Sequence, residues 1–199
     1  MTRPRPLPRR FYRRDSRDLA PLLLNKLLVH GDRVARLVEV EAYAGEDDPG
    51  SHAFRGKTRR NATMFGPVGH LYVYRSYGVH WCANVVCGDD GWASAVLLRG
   101  ATPLAGVEEM YAVRPGIVRD RDLCAGPGRL CQALGLDVSF DGTDVVTGSD
   151  GVVLVDDGVP PPDDPGVSTR IGLSPGRGDD APWRFYVRSA VGVSRSPSR

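Results

Sequence analysis

Hydrophobic and polar residues alternate along several short segments of the chain, and this is the pattern of half-buried β-strands. Residues 26–30 and 34–43 form two such segments, and Gly31 and Asp32 between them are typical of a hairpin turn. Strand-like segments follow at residues 70–77, 81–87, 92–99, 152–155 and 184–188. Segments that follow one another through short turns predict an antiparallel sheet.

Three further segments have the features of helices. Residues 16–23 place Leu19, Leu22 and Leu23 after Ser16, a preferred N-cap residue. The other two helical segments are residues 107–113 and 126–134. Adjacent strands with helices at intervals are typical of an α+β protein. We therefore predict a single mixed α+β domain around a curved antiparallel β-sheet with flanking helices.

The chain of 199 residues has the length of one domain. Residues 1–14 are rich in arginine and proline and are predicted to form a disordered arm. We expect residues 15–194 to form the folded domain and residues 195–199 to form a flexible tail. No apolar run approaches the ~20 residues of a membrane span, and the basic N-terminus lacks the apolar core of a secretory signal. We therefore expect a cytoplasmic protein with no membrane partner.

The distribution of charge and the spacing of the cysteines bear on which functions the chain can have. The formal net charge is only +2, but seven arginines and one aspartate lie within residues 1–17, and residues 52–60 form a second basic cluster. Such clusters fit an anionic polymer or, equally, a solvated surface. The four cysteines, at positions 82, 87, 124 and 131, match no common zinc spacing. We predict that they are small buried apolar residues and that there is no metal site.

Two carboxylates stand on one face of the strand at residues 34–43. Period two places Glu39 and Glu41 beside Leu37 and Tyr43. A buried acid is costly without partners, and a carboxylate held at a strand end can act as a general base on water or stabilise a developing cation. Arg99 ends the apolar run at residues 95–98. In the simpler interpretation, Arg99 is only the structural partner of Glu39 or Glu41.

The tyrosines of residues 71–78 are the other candidate group. Tyr72 and Tyr74 share one strand face, and Tyr77 stands beside Gly78 at a turn, where its ring can project. Tyrosines are common in strands, so core packing also explains the first two. Taken singly, these features support only an α+β domain with a polar cleft.

Together, and in order along the chain, these segments resemble the motifs of the alkyladenine (3-methyladenine) DNA glycosylases. The matching segments are VEVEAY (38–43) with His52, MFG (64–66), LYVYRSYG (71–78), CAN (82–84), VLLR (96–99), GP (126–127), LCQAL (130–134) and RFYV (184–187). The resemblance covers about residues 15–194. It implies a monomeric enzyme that excises alkylated or deaminated purines from double-stranded DNA and needs no cofactor.

The resemblance also implies residue roles. Tyr77 would insert into the DNA at the place of the flipped nucleotide. Tyr43 and Tyr74 would stack on the extruded base, His52 would contact its edge, and Asn84 would oppose the 2-amino group of undamaged guanine.

The catalytic roles that the resemblance implies belong to three residues. Glu41 would deprotonate the attacking water, and Arg99 and the backbone carbonyl of Val187 would hold that water. Glycosylases that also cut the strand commonly use an amine to form a Schiff base. Since Lys26 and Lys57 are the only lysines and neither lies in these motifs, we predict a monofunctional enzyme that leaves an intact abasic strand.

Two other interpretations are weighed against this one. A non-catalytic nucleic-acid-binding module of the same fold would keep Tyr77 and the arginines but would not need Glu41. A metal-free hydrolase of small sugars or nucleosides would use Glu39 and Glu41 as an acid–base pair. That alternative gives no role to a tyrosine at a turn or to an arginine-rich terminus.

Overall fold

A computed structural model describes residues 4–194 of the chain. Within that range the strands are β1 (Arg5–Pro6), β2 (Leu27–His30), β3 (Arg33–Tyr43), β4 (Leu71–Ser76), β5 (His80–Cys87), β6 (Ser94–Ala105), β7 (Val152–Asp156), β8 (Gly166–Ser168) and β9 (Arg184–Tyr186). The helices are α1 (Arg9–Tyr12), α2 (Ser16–Leu23), α3 (Val107–Ala112), α4 (Asp120–Leu123) and α5 (Pro127–Leu134). These elements confirm the predicted α+β class.

One curled antiparallel sheet organises the fold. Its strand order is β1-β7-β2-β3-β6-β5-β4, and β9 pairs with both β3 and β8. The predicted hairpin between β2 and β3 is confirmed, with Gly31 in the left-handed region at φ +56°. Strand β3 has β6 along one edge, while β2 and β9 share the other edge. Glu39 and Glu41 therefore lie between two neighbouring strands, in the interior of the sheet.

Apolar residues from the helices and the sheet fill the core. Leu19 and Leu23 of α2, Leu130 and Leu134 of α5, and Leu98 of β6 are all fully buried in one cluster. The cap of α2 differs from the prediction, because the side chain of Asp15, one residue earlier, accepts the Arg17 N–H at 2.8 Å. All four cysteines are free and buried, as expected of small core residues. The described residues include no helix with the length and apolar character of a membrane span.

The expectation that residues 1–14 are disordered is wrong for the described part of that segment. β1 pairs with β7, and the Leu7 N–H donates to Leu154 O at 2.9 Å. Leu7 and Tyr12 are 3% and 0% exposed, which places the segment in the core. The prediction from composition failed because two buried side chains, Leu7 and Tyr12, hold an otherwise polar segment against the core. The tail predicted at residues 195–199 lies outside the described residues.

Replacing Leu7 by alanine tests this order. We expect the free energy of unfolding to fall by about 2 kcal/mol, because burial is lost and a cavity remains. Urea denaturation measures the change, with Arg10→Ala at an exposed position of the same segment as the control. A disordered segment would give the same stability for both variants and the parent protein.

Candidate active site

A cavity of about 580 Å³ opens where β4, β5 and β6 meet the end of β3. This volume is in the range of small-molecule sites. Its walls come from distant parts of the chain, including a loop at residues 171–173. The lining includes Tyr43, His52, Arg60, Tyr72, Tyr74, Tyr77, Asn84, Arg99, Ile171 and Gly172. Six predicted site residues, Tyr43, His52, Tyr74, Tyr77, Asn84 and Arg99, are thus brought to one cavity.

Glu41 is fully buried and contacts three groups of the cavity wall. The Tyr43 hydroxyl donates to Oε2 at 3.0 Å, and the Ile171 N–H donates to Oε1 at 2.7 Å. The Nε atom of Arg99 lies 3.3 Å from Oε1. These three contacts hold the carboxylate in one orientation behind the cavity wall. This arrangement fits a carboxylate that holds and deprotonates water.

Opposing effects act on the protonation of Glu41. Desolvation raises its pKa above the usual value, while the Arg99 charge, the Ile171 N–H and the Tyr43 O–H lower it. The net direction is upward. A base works best when its pKa lies near the working pH, and a raised carboxyl pKa moves Glu41 toward that range.

Glu39 is held in a different way from Glu41, although both are fully buried. Its Oε1 atom accepts from Arg99 Nε at 2.9 Å, Arg184 Nε at 2.7 Å and Ser194 Oγ at 2.7 Å. Its Oε2 atom accepts the Ser194 N–H at 2.6 Å. Desolvation opposes ionisation, but these charges and hydrogen bonds hold the pKa of Glu39 below its usual value. Glu39 is therefore an ionised anchor for Arg99, with its acceptor positions filled.

Aromatic rings form a second part of the wall. The rings of Tyr72 and Tyr74 stack with centroids 5.5 Å apart, and His52 meets Tyr74 edge-on at 4.5 Å. His52 Nδ1 lies 3.0 Å from the Tyr72 hydroxyl. Desolvation and the Arg60 charge lower the pKa of His52 to about 4, so the imidazole is neutral at pH 7. A neutral ring can contact a base without repelling a cationic one.

Tyr77 stands at the tip of the β4–β5 hairpin. It is 88% exposed, and its φ of +49° lies in the left-handed region that bulky residues rarely adopt. Its hydroxyl donates to Gly172 O at 3.4 Å across the mouth of the cavity. The hairpin therefore presents a large ring to solvent, with a backbone conformation that costs energy.

Asn84 lies on β5, where it pairs with Tyr72 of β4. Its Nδ2 group donates to Tyr72 O at 3.1 Å, and the residue is 5% exposed. This hydrogen bond fixes the amide at the cavity wall, where it can discriminate between ligands by shape and polarity.

Val187 follows β9 and is not part of the cavity lining. Its N–H donates to Val38 O at 2.9 Å, and its carbonyl accepts the Ala190 N–H at 3.2 Å. A backbone group that the sequence did not indicate, the Ile171 N–H, donates to Glu41. β9 pairs with β3 in a register that places Tyr186 opposite Glu39, and the role of the Val187 carbonyl in holding water stays a prediction. Ile171 acts through its backbone, so its side chain gave no signal in the sequence.

The chain is similar in sequence to known proteins. A family profile described as methylpurine-DNA glycosylase matches residues 10–191. A Burkholderia cenocepacia protein named "Putative 3-methyladenine DNA glycosylase" is 54% identical over 182 residues, or 91% of this chain and 87% of that protein. Proteins of the same name from Streptomyces avermitilis and Carboxydothermus hydrogenoformans are 45% and 42% identical. These two alignments each cover 95% of this chain, and 91% and 98% of the respective relatives.

Proposed function

Since the chain belongs to the methylpurine-DNA glycosylase family, we propose that it is a monofunctional DNA glycosylase that removes alkylated or deaminated purines by hydrolysis. The observation that carries the proposal is the buried carboxylate of Glu41, held by three groups that line a cavity of about 580 Å³. The protein would act on damaged double-stranded DNA as a monomer.

Base flipping is the first step of the proposed reaction. A purine inside a duplex cannot reach the cavity, so its nucleotide must rotate out of the stack at a cost of a few kcal/mol. Tyr77 projects from the hairpin tip at the mouth of the cavity. Its ring would enter the DNA and fill the gap that the flipped nucleotide leaves.

Recognition of the base would follow from the aromatic wall. Tyr43 and Tyr74 provide ring faces, and stacking contributes about 1–3 kcal/mol per base. A cationic alkylated purine would gain ~0.5–2 kcal/mol more from cation–π attraction. The neutral His52 would contact the base edge. The fixed amide of Asn84 would oppose the 2-amino group of undamaged guanine, which is selection by exclusion.

Hydrolysis would use Glu41 and Arg99. The Glu41 carboxylate accepts a proton from water while the water oxygen forms a bond to the sugar C1′. The N-glycosidic bond breaks, and its electron pair leaves with the base. The same carboxylate stabilises the positive charge that develops on the sugar. Arg99, anchored by Glu39, would hold the water and keep Glu41 in place.

The positions of the two lysines support hydrolysis without strand cleavage. Lys26 is 5% exposed and donates to Asp156 Oδ1 at 2.9 Å. The Lys57 ammonium lies 5.8 Å from the centroid of the Phe65 ring. Neither lysine lines the cavity that Tyr43 and Arg99 share. An attack on C1′ by a lysine amine therefore has no support here.

The two alternative interpretations are weaker against this geometry. Glu39 is fully engaged by Arg99, Arg184 and Ser194, so it cannot serve as the acid partner of Glu41. A binding module without catalysis would have no use for a buried carboxylate held by three groups that line the cavity.

The direct test is incubation with duplex DNA that holds one damaged purine, followed by alkaline cleavage at abasic sites. Hypoxanthine, ethenoadenine, 3-methyladenine and 7-methylguanine substrates are compared. We expect a free base and a strand that breaks only after alkali. Strand breakage before alkali would contradict the monofunctional assignment. Failure to release any of the four bases would reject the glycosylase proposal.

Replacing Tyr77 by alanine should slow excision from duplex DNA by ~10–100-fold, because the gap in the base stack stays unfilled. Single-turnover rates on duplex and single-stranded substrates measure the effect, and the single strand should lose less. Tyr77→Phe is the matched control, since it keeps the ring and removes only the hydroxyl that reaches Gly172. Equal rates for Tyr77→Ala and the parent protein on duplex DNA would exclude the insertion role.

A further inference from the structure

Arg170 forms a fully buried ion pair with Asp48, directly behind the wall that holds Glu41. Its Nη1 donates to Asp48 Oδ2 at 2.5 Å and to Ala42 O at 3.0 Å. Its Nη2 donates to Asp48 Oδ1 at 2.8 Å and to Gly178 O at 3.0 Å. This two-pronged geometry is available to arginine and not to lysine.

The guanidinium also lies between two aromatic rings. Its central carbon is 4.6 Å from the centroid of Tyr43 and 4.9 Å from that of Trp183. Arg170 therefore supports the ring of Tyr43 while the hydroxyl of that ring donates to Glu41. The orientation of one Glu41 donor thus depends on this contact.

The second donor to Glu41 is the backbone N–H of the next residue, Ile171. Arg170 fixes the position of this N–H because its side chain ties the loop to the carbonyl of Ala42 at the end of β3. Asp48 strengthens the tie, since its carboxylate also accepts the Ala44 N–H at 3.1 Å and the Gly50 N–H at 2.9 Å. Three chain segments are thereby joined at one buried point.

Two glycines leave the room that this guanidinium occupies. A Cβ added at Gly50 would lie 2.7 Å from Arg170 Nη2, and one added at Gly178 would lie 2.6 Å from the same atom. Both distances are under 3.0 Å, so a side chain at either position would require the buried guanidinium to shift, and Gly178 also has a φ of +68°. The local backbone is therefore shaped around Arg170.

A buried ion pair is weak evidence for stability, because the cost of removing two charges from water offsets their attraction. The Arg170–Asp48 pair, however, contacts or positions both groups that donate to Glu41, the Tyr43 hydroxyl and the Ile171 N–H. We propose that the Arg170–Asp48 pair is a positioning device that sets the ionisation of Glu41 by holding the Tyr43 hydroxyl and the Ile171 N–H against its carboxylate. This inference deepens the proposed function and rests on it for its catalytic consequence.

The groups that act on Glu41 come from several elements, and the test must separate them. Arg99 of β6 lies 3.3 Å from Glu41 Oε1, and Glu39 of β3 also acts on Glu41 electrostatically. Tyr74 of β4 and Cys82 of β5 also interact electrostatically with Glu41, and Tyr43 donates to it. Variants at Arg170 and Asp48 do not change the identity of any of these five residues.

The experiment follows the Glu41 carboxyl carbon by ¹³C NMR during a pH titration, with Glu41→Gln used to assign the signal. Arg170→Lys keeps a positive charge but loses the two-pronged contact and the flat face between the rings. Looser donors favour the neutral acid, so the pKa of Glu41 should rise by about one pH unit, ~10-fold in the ionisation constant. The acid limb of the excision rate should move to higher pH by the same amount.

Two further variants control the result. Asp48→Asn has nearly the same shape, and a rise in the pKa of Glu41 in this variant supports the proposal if Arg170→Lys does not fold. Arg114→Lys is the matched control, because Arg114 is also buried and donates to the carbonyls of Asp122 and Leu123 elsewhere in the fold. It should leave the Glu41 titration unchanged.

An unchanged Glu41 titration in folded Arg170→Lys would overturn the inference, and so would a lowered pKa of Glu41 in folded Asp48→Asn, which is the result expected from loss of the Asp48 charge alone. So would an equal shift in Arg114→Lys, and so would failure of both test variants to fold, since the pair would then be a stability element. The NMR titration needs no activity. If the parent protein released no base, the proposed function would fail while the coupling of Arg170 to Glu41 was still measured.

Discussion

Replacing Glu41 by glutamine is expected to slow base excision by at least ~10³-fold, because glutamine can neither accept a proton from water nor stabilise a cationic sugar. The amide keeps the shape of the carboxylate, so the cavity wall stays in place. Binding to DNA that carries an abasic-site analogue should therefore remain within about threefold of the parent protein, a change of under ~1 kcal/mol.

Single-turnover excision and a DNA-binding titration separate the two effects. The matched control is Glu46→Gln, the same chemical change at an exposed position five residues away. It should leave both measurements unchanged. Excision by Glu41→Gln at the parent rate would mean that another group activates the water.

Stability gives an independent check on Glu41→Gln. The folded-state pKa of Glu41 is raised, so the protonated form is favoured in the fold. Its contribution to stability is then present below the unfolded pKa and is lost as pH rises through the folded value. At neutral pH the ionised carboxylate costs stability, and glutamine removes that cost. The melting temperature at pH 7 should be equal to or above that of the parent protein, which excludes unfolding as the cause of lost activity.

Strand periodicity and turn residues in the sequence were enough to predict most of the fold. The β2–β3 hairpin and helices α3 and α5 follow from local sequence, because each is built from contacts between near neighbours. Residues 4–14 did not follow, since their order depends on Leu7 meeting Leu154 and on Tyr12 entering the core. Leu7 and Leu154 are more than 140 residues apart in the sequence. Composition does not predict contacts at such a separation.

Part of the candidate site could likewise be predicted from the sequence, and part could not. Glu39 and Glu41 both pair with Arg99 and Tyr43 donates to Glu41, so these three side chains meet as period two predicts, whereas Leu37, predicted beside them, lies in the main apolar core. Tyr74 and Arg99, which belong to the shared motifs, line the same cavity as Tyr43. The contact from Ile171 is made by a backbone N–H, which any residue except proline supplies. Its position depends on how a loop over 120 residues from Glu41 returns to the sheet. No local pattern predicts such a return.

Glu39 should be the residue of this site whose loss destabilises the fold most. Glu39→Gln removes the charge that compensates two buried guanidinium groups, Arg99 and Arg184, and weakens the contacts with Ser194. Breaking a buried ion pair by removing one partner costs about 3–5 kcal/mol. Urea denaturation at pH 7 measures this loss, with Glu109→Gln on the exposed side of α3 as the control, expected within about 0.5 kcal/mol of the parent.

The loss should depend on pH in a defined direction. The folded-state pKa of Glu39 is lowered, so its contribution is present above the unfolded pKa and is lost as pH falls through the folded value. The stability difference between Glu39→Gln and the parent protein should therefore be largest at neutral pH and narrow below about pH 4.5. A difference that stayed constant down to pH 3 would show that Glu39 is not an ionised anchor.

Glu39 also acts on Glu41, and this separates its role from that of Arg170. The negative charge of Glu39 raises the pKa of Glu41, while the shared Arg99 lowers it. Without that charge, Arg99 is left to pair with Glu41 alone, so the pKa of Glu41 should fall and the acid limb of excision should move to lower pH. Arg170→Lys should move the same limb to higher pH. Opposite shifts from two destabilising substitutions cannot both arise from a general loosening of the fold, so together they would assign separate electrostatic and positioning effects to the two residues.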